Sequence, residues 1–225
     1  MTEDEQKLAA AAAAVDYIED GMVVGLGTGS TAAKMVDLVG ARVKAGLDIV
    51  AVPTSDATKN QAEALGIKVV GFDEVTIIDL TIDGTDEVDP QMRLIKGGGG
   101  AHLREKIVAS LSDRMIVIAE NKKMVETLGA FKLPVEVIPF AASALLPKME
   151  ALGADAKIRT QKDAPFITDE GNLIIDCAFD VINDPEELAL TLSTMPGVVE
   201  HGLFIDNADI VLIGSDEGVK VFTRS

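Results

Sequence analysis

A chain of 225 residues, 48% hydrophobic and 25% charged, has the balance of a globular protein with one large domain or two small ones. Its net charge of −17 argues against nucleic acid, whose phosphates need a basic face, and against an anionic membrane surface. A small phosphorylated ligand stays open, since a few local donors override the field of the whole chain. With aromatics at 4% and no Trp, the core must be aliphatic. The single Cys177 allows no intrachain disulfide, and its apolar run Leu173-Ile174-Ile175-Asp176-Cys177-Ala178 favours a buried structural thiol. The acidic start Met1-Thr2-Glu3-Asp4-Glu5-Gln6 is unlike a signal peptide, and the alanine run Ala9–Ala14 is too short to span a bilayer, so cytoplasm is the expected compartment.

Residues 3–19 read as a helix, with Thr2 and Glu5 spaced as a capping box and Leu8, Ala12, Val15 and Ile18 as its apolar face. A short strand, Met22–Leu26, runs into Gly25-Leu26-Gly27-Thr28-Gly29-Ser30-Thr31, and a helical pattern follows from Ala32 to about Val43. Strand, glycine loop and helix outline an α/β phosphate site. The strict dinucleotide pattern fails, and the looser one lacks its ribose-binding acid, because Val52-Pro53-Thr54 stands where that acid belongs. The G-K-[ST] triplet of a P-loop is also missing. What remains is hydroxyls beside glycines, which suits a phosphate monoester; Ser30 or Thr31 could equally cap the helix. A strand at Asp48–Val52, a helix from Ala57 to Leu65 and a strand at Ile67–Val70 continue the alternation of a parallel sheet covered on both faces. Thr54 and Ser55 stand at a strand's C-terminal end, where they serve a ligand or cap the next helix.

The strand expected at Val75–Ile82 empties into Asp83-Gly84-Thr85-Asp86-Glu87-Val88-Asp89. Three readings compete for these four acids. An EF-hand is excluded, because Val88 and Leu94 occupy its glycine and glutamate positions, although a magnesium site stays possible. Asp83 and Asp86 could instead face the hydroxyls of a sugar and move their protons. The third reading is a solvated acidic turn. After a strand at Met92–Ile95 comes Lys96, then four glycines, Gly97 to Gly100, and a helix near 103–112 with Leu103, Ile107, Val108 and Leu111 as its apolar set. Four glycines are tolerable only where backbone turns sharply or approaches a ligand closely. Lys96 and Glu105 flank this loop as a base and an acid, and the helix start suits an anion. The strand Met115–Ala119 ends at Glu120-Asn121-Lys122-Lys123, two cations at a strand end.

From Leu133 the order becomes strand (Val135–Phe140), helix (Ala142–Leu152), strand (Ala156–Thr160), interrupted strand (Phe166–Phe179), helix (Asp184–Thr194, capped by Asp184 with Pro185 first) and strand (Val198–Phe204). That β-α-β-β-α-β order is ferredoxin-like. A hairpin around Ser215-Asp216-Glu217 closes the chain. The expected architecture is therefore α/β, an open and mainly parallel sheet with helices on both faces in residues 1–130 and 205–225, plus a smaller α+β ferredoxin-like domain in 131–204.

The loops Gly27-Thr28-Gly29-Ser30-Thr31, Asp83-Gly84-Thr85-Asp86-Glu87 and Lys96-Gly97-Gly98-Gly99, with Glu105 nine residues after Lys96, resemble the type A ribose-5-phosphate isomerases. Leu133-Pro134-Val135-Glu136-Val137 and Gly197-Val198-Val199-Glu200-His201-Gly202-Leu203-Phe204 extend the likeness over nearly the whole chain. The family's commonest form has Ala at Thr85 and Ser at Thr54, both small. The resemblance implies interconversion of ribose 5-phosphate and ribulose 5-phosphate without cofactor or metal, in a homodimer or homotetramer. It makes Glu105 the base and Asp83, Asp86 and Lys96 the acid and hydroxyl-handling groups. Substrate contacts fall to Thr28, Gly29, Ser30, Thr31, Gly84, Thr85, Gly97, Gly98, Gly99 and Lys123. The chemistry is consistent: one carboxylate carries a proton between C1 and C2 through an enediolate, and fixed donors stabilise the oxyanion. Competing readings are an amino-sugar-phosphate isomerase or deaminase, a sugar-phosphate-sensing regulator and a CoA transferase.

Overall fold

The computed structural model describes residues 1–224. The chain divides into two compact units. The first consists of Met1–Thr85, Arg104–Met124 and the segment from Asp206 onward; the second of Asp86–Leu103 and Val125–Ile205.

The first unit is a seven-stranded sheet. Its spatial order is Gly218–Thr223, Ile210–Ser215, Met115–Glu120, Leu80–Gly84, Val23–Leu26, Val50–Pro53 and Lys68–Val69. All neighbours are parallel except the terminal hairpin. Side chains alternate between two apolar layers, as the two-residue period of a strand requires. Val24, Leu26, Ile82, Ile116 and Leu212 join Met35, Val36 and Val39 of the helix Ser30–Lys44 on one face. Val23, Val50, Val52 and Ile78 join Val108 of the helix His102–Ser110 on the other.

The N-terminal helix spans Glu3–Val15 and carries the expected Thr2/Glu5 capping box. Its buried face matches the expected one in part: Val15 and Ile18 are buried as expected, but Ala10, Ala11 and Ala14 join them in the core, while Leu8 and Ala12 are exposed. Close approach explains the preference for alanine. A Cβ added to Gly214 of the neighbouring strand would lie 1.9 Å from the carbonyl oxygen of Gln6. The strand expected over Val75–Ile82 begins only at Leu80, and Ile78 contributes a single bridge to Ser112. Among the described residues no helix is long and apolar enough to cross a membrane.

The second unit contains a four-stranded antiparallel sheet in the order Val198–His201, Leu133–Val137, Leu173–Ala178, Asp155–Ile158. With the helices Ala142–Ala151 and Pro185–Ser193 this is the ferredoxin-like arrangement, and Asp184 caps the second helix through the Glu187 N–H. Two strands are shorter than expected. Leu133–Val137 stops before Pro139 opens a 3-10 turn, which leaves Phe140 97% exposed. The stretch 166–179 is strand only over Leu173–Ala178.

The stretch expected as one strand, Val198–Phe204, serves two sheets. Val198–His201 pairs with Leu133–Val137, and Leu203–Phe204 pairs with Leu94–Ile95, which pairs in turn with Glu87–Val88. The switch falls at Gly202, whose N–H donates to Pro134 O while its carbonyl accepts from the Lys96 N–H at 2.9 Å. A Cβ there would sit 2.3 Å from Lys96 O. This pairing draws residues 86–103 into the second unit, whereas the sequence placed them in the first. Glu87 does the same for 125–130, accepting the N–H groups of Gly129 (2.7 Å) and Phe131 (2.5 Å).

Candidate active site

In the first unit the glycine loop after Val23–Leu26 is built against Asp83. This carboxylate is fully buried at the end of Leu80–Gly84, and its Oδ1 accepts the N–H groups of Thr28 (3.0 Å) and Gly84 (2.7 Å). Position 27 must be glycine, because a Cβ would lie 2.5 Å from the Asp83 Cα. The Thr28 hydroxyl sits 2.7 Å from Thr54 Oγ1, 2.9 Å from Ser55 Oγ and 3.2 Å from Thr58 Oγ1. Thr58 Oγ1 donates in turn to Gly27 O. Ser55 also caps the helix Asp56–Ala64 through the Thr58 N–H, so the capping reading of this pair is correct for Ser55.

No such cap serves the helix Ser30–Lys44. Its N-cap is Gly29, at φ 112°, and neither Ser30 nor Thr31 closes the first turn with a side chain. Gly29 and Ser30 are exposed, and Thr31 is buried. A fifteen-residue helix thus presents open first-turn N–H groups beside hydroxyls, the arrangement that receives a phosphate.

Glu105 lies in the first turn of the helix His102–Ser110 and is only 4% exposed. The helix is rotated from the apolar set expected for it, so that Ile107 and Leu111 face solvent and Glu105, Val108 and Ala109 face inward. Burying a carboxylate is costly unless it is paired or hydrogen-bonded, and carboxylates held in that way concentrate at functional sites. Lys123 is half-buried in the turn Asn121–Lys123 after Met115–Glu120. Lys122 is exposed and engaged with Glu3 at 2.5 Å. The structure adds Lys7 to this corner, 2.6 Å from Glu3 and 3.9 Å from buried Glu120.

In the second unit, Lys96 is 2% exposed, its ammonium 5.5 Å from the Phe204 ring centroid. Asp86 Oδ2 accepts the Gly98 N–H at 2.7 Å. The glycines are demanded for distinct reasons. Gly97 (φ 99°) and Gly100 (φ 80°) adopt backbone that other residues avoid, and a Cβ at Gly98 would lie 2.7 Å from Asp86 Oδ1. Gly98 and Gly99 are exposed; Gly84 and Thr85, at the end of the strand Leu80–Gly84 and in the first unit, are buried and half-buried.

The other two acids of the cluster are structural. Glu87 holds two backbone N–H groups, and Asp89 pairs with Arg93 at 2.6 Å while accepting the Gln91 and Arg93 N–H groups. Asp83, Glu87 and Asp89 are all buried, so the solvated acidic turn is not what forms. Among the described residues no group of three or more His, Cys, Asp or Glu is placed to hold a metal.

Two features escaped the sequence. Arg159 donates to the carbonyls of Gly97 (3.0 Å) and Gly98 (3.2 Å) from about sixty residues away, with no local motif to announce it. Glu136 forms a buried polar cluster, accepting Thr168 Oγ1 (2.8 Å) and Asn172 Nδ2 (2.9 Å), with His102 Nε2 at 3.9 Å. Burial pushes the Glu136 carboxyl above its ordinary value, against the opposing pull of those two hydrogen bonds.

The family model of ribose 5-phosphate isomerase A (phosphoriboisomerase A) matches residues 50–218. A ribose-5-phosphate isomerase A from Parvibaculum lavamentivorans is 50% identical, over 98% of this chain and 99% of the relative. One from Rhodopseudomonas palustris (strain HaA2) is 50% identical over the full length of both chains. A solved D-ribose-5-phosphate isomerase in complex with phospho-erythronic acid superposes with a TM-score of 0.97 at 44% identity, each chain covered completely. The Methanocaldococcus jannaschii enzyme superposes at 0.95 with 40% identity, covering 99% of this chain and 100% of the other. With its open sheet, its ferredoxin-like second unit and the loops that resemble this family all in place, the chain belongs to the ribose 5-phosphate isomerase A family, isomerases that interconvert ribose 5-phosphate and ribulose 5-phosphate in the pentose phosphate pathway.

Proposed function

We propose that this protein isomerises ribose 5-phosphate through an enediolate, with Glu105 carrying the proton between C1 and C2. The burial of Glu105 in the first turn of a helix that follows four glycines carries this reading. A buried, positioned carboxylate is what a one-base proton transfer needs, and a solvated helix residue is not. Lys96 and the N–H groups of the glycine loop supply the positive environment for the developing oxyanion. Asp83 and Asp86 handle the hydroxyl protons of ring opening, and Gly84 and Thr85 line the same acidic loop. The phosphate falls to Thr28, Gly29, Ser30 and Thr31 at the open helix start, with Lys123 as an added cation. The same reading has the enzyme working in the cytoplasm without cofactor or metal, as a homodimer or homotetramer, which light scattering measures.

The test is conversion of ribose 5-phosphate to the ketose by purified protein in excess EDTA. Activity without added metal is expected; activity restored only by magnesium, manganese or zinc would turn the acidic loop into a metal site. Phospho-erythronic acid, bound by the 44% identical relative, is expected to inhibit competitively. Its carboxylate has the planar pair of oxygens that an enediolate has.

A further inference from the structure

The glycine loop closes one turn on itself, the Gly100 N–H donating to Gly97 O at 2.9 Å, but it has no side chains with which to fix the orientation of that turn, and oxyanion stabilisation depends on donors fixed before the reaction begins. Its anchor is in the ferredoxin-like sheet. Arg159 follows the strand Asp155–Ile158, and its own backbone is secured at both ends: its N–H donates to Ile174 O (2.8 Å), and its carbonyl accepts from the Phe166 N–H (2.9 Å). Asp176, on the adjacent strand, faces Lys157 in register, which places Arg159 on the same sheet face one diagonal step away. The guanidinium is gripped by this carboxylate, Nε to Oδ2 at 3.0 Å and Nη2 to Oδ1 at 2.5 Å. Phe166 lies 5.8 Å beneath it and also fills the space beside Gly100, where a Cβ would meet the ring at 2.5 Å. Nη1 alone reaches the two loop carbonyls.

We infer that Arg159 is a positioning residue for the isomerisation, holding the Gly97 and Gly98 carbonyls so that the N–H groups on the other side of those peptides face the chemistry. In a trans peptide the C=O and the following N–H point in opposite directions. Drawing Gly97 O toward Arg159 sends the Gly98 N–H away from it, where Asp86 Oδ2 receives it at 2.7 Å. Drawing Gly98 O the same way turns out the N–H of Gly99, an exposed residue. Four of the five guanidinium N–H groups are used by Asp176 and the two carbonyls, so Arg159 acts through the loop and not on the substrate. Lysine cannot replace it, because a point charge lacks the planar fork. This rests on the proposed role of the glycine loop in the isomerase reaction.

The experiment compares wild type, Arg159→Ala, Arg159→Lys and Asp176→Asn on ribose 5-phosphate, with circular dichroism and thermal melts as folding controls. Misplacing a reacting group by an ångström costs about 10²-fold. Arg159→Ala is expected to lose roughly that factor in kcat with KM little changed, and to recover part of it in guanidinium ion at sub-denaturing concentration. Arg159→Lys and Asp176→Asn are expected to fall between Ala and wild type. If the Ala variant does not fold, Arg159→Lys decides, by a fall of about tenfold in kcat at a near-normal KM. A folded variant with kcat within about twofold of wild type, a loss confined to KM, or a folded Ala variant without guanidinium rescue overturns the role. Wild-type protein inactive on ribose 5-phosphate overturns the functional reading itself, whereas an active wild type beside an unaffected Arg159 variant overturns only this inference.

Discussion

The backbone N–H of Thr28 donates to Asp83 Oδ1 at 3.0 Å, joining the first glycine loop to the end of a strand 55 residues further on. Asp83 therefore has a structural duty besides its proposed chemical one, and asparagine separates the two. Asp83→Asn keeps an Oδ1 that accepts the Thr28 and Gly84 N–H groups but loses the carboxylate. It is expected to melt close to wild type while kcat falls by about 10²-fold or more, the range of a lost acid–base group. A near-normal kcat would leave Asp83 as an anchor only.

Thr28→Val acts on a hydroxyl cluster and not on an isolated contact. Thr54, Ser55 and Thr58 are buried, and removing the Thr28 hydroxyl leaves them short of a partner. Stability is expected to drop by about 1–3 kcal/mol, the cost of unsatisfied buried polar groups. KM for ribose 5-phosphate should rise as well, with kcat less affected if the loop binds ground and transition states alike. Calorimetry and steady-state kinetics on one preparation read both; an unchanged KM would remove Thr28 from the phosphate site.

Glu105→Gln preserves size and reach but cannot accept a proton. A fall in kcat of about 10²–10⁴-fold is expected with the fold intact, and Glu105→Asp should lie between, its carboxylate one methylene short. Wild-type turnover in D₂O should place deuterium at the transferred position. If Glu105→Gln keeps near-normal kcat, the base lies elsewhere and Asp83 or Asp86 is next to be tested.

Glu136 gives a pH signature of stability. Its folded pKa is raised by burial, so between the ordinary carboxylate value and the raised one the folded state holds a proton that the unfolded state has lost. By linkage its contribution is full below the unfolded pKa and declines as pH rises through the folded pKa. Glu136→Gln, which still accepts from Thr168 and Asn172, is expected to remove that decline from a series of thermal midpoints starting near pH 4.5 and rising. Identical pH profiles for the two proteins would show that the group contributes nothing.

Cys177 is fully buried in Leu173–Ala178, and burial, with Asp176 adding to it, pushes its thiol up to about 12. At neutral pH the thiolate is scarce and out of reach. A disulfide reagent such as DTNB is expected to titrate no thiol in the native protein and one after denaturation. Rapid native labelling without loss of structure would contradict this.

The sequence by itself determined the helices, the main strands of both sheets and their order. The Thr2/Glu5 capping box, the Asp184 cap with Pro185, the strand–loop–helix at Gly27–Thr31 and the β-α-β-β-α-β run are local devices, settled over a few residues by hydrogen bonding and periodicity. Site residues set in such motifs were legible for the same reason: the glycines, hydroxyls and acids stand in short runs. Tertiary structure decided what depends on a distant partner. Glu105 faces inward because the helix His102–Ser110 is rotated by its packing, so Ile107 and Leu111, apolar in sequence, stand in solvent. Val198–Phe204 divides at Gly202, where Lys96 O leaves no room for a Cβ, and the two halves join different sheets. Glu87 looks like a member of an acidic cluster until the N–H groups of Gly129 and Phe131 are found upon it. Arg159 has no motif at all; its meaning lies in two glycine carbonyls about sixty residues earlier, a relation that no local periodicity encodes and that chain folding alone creates.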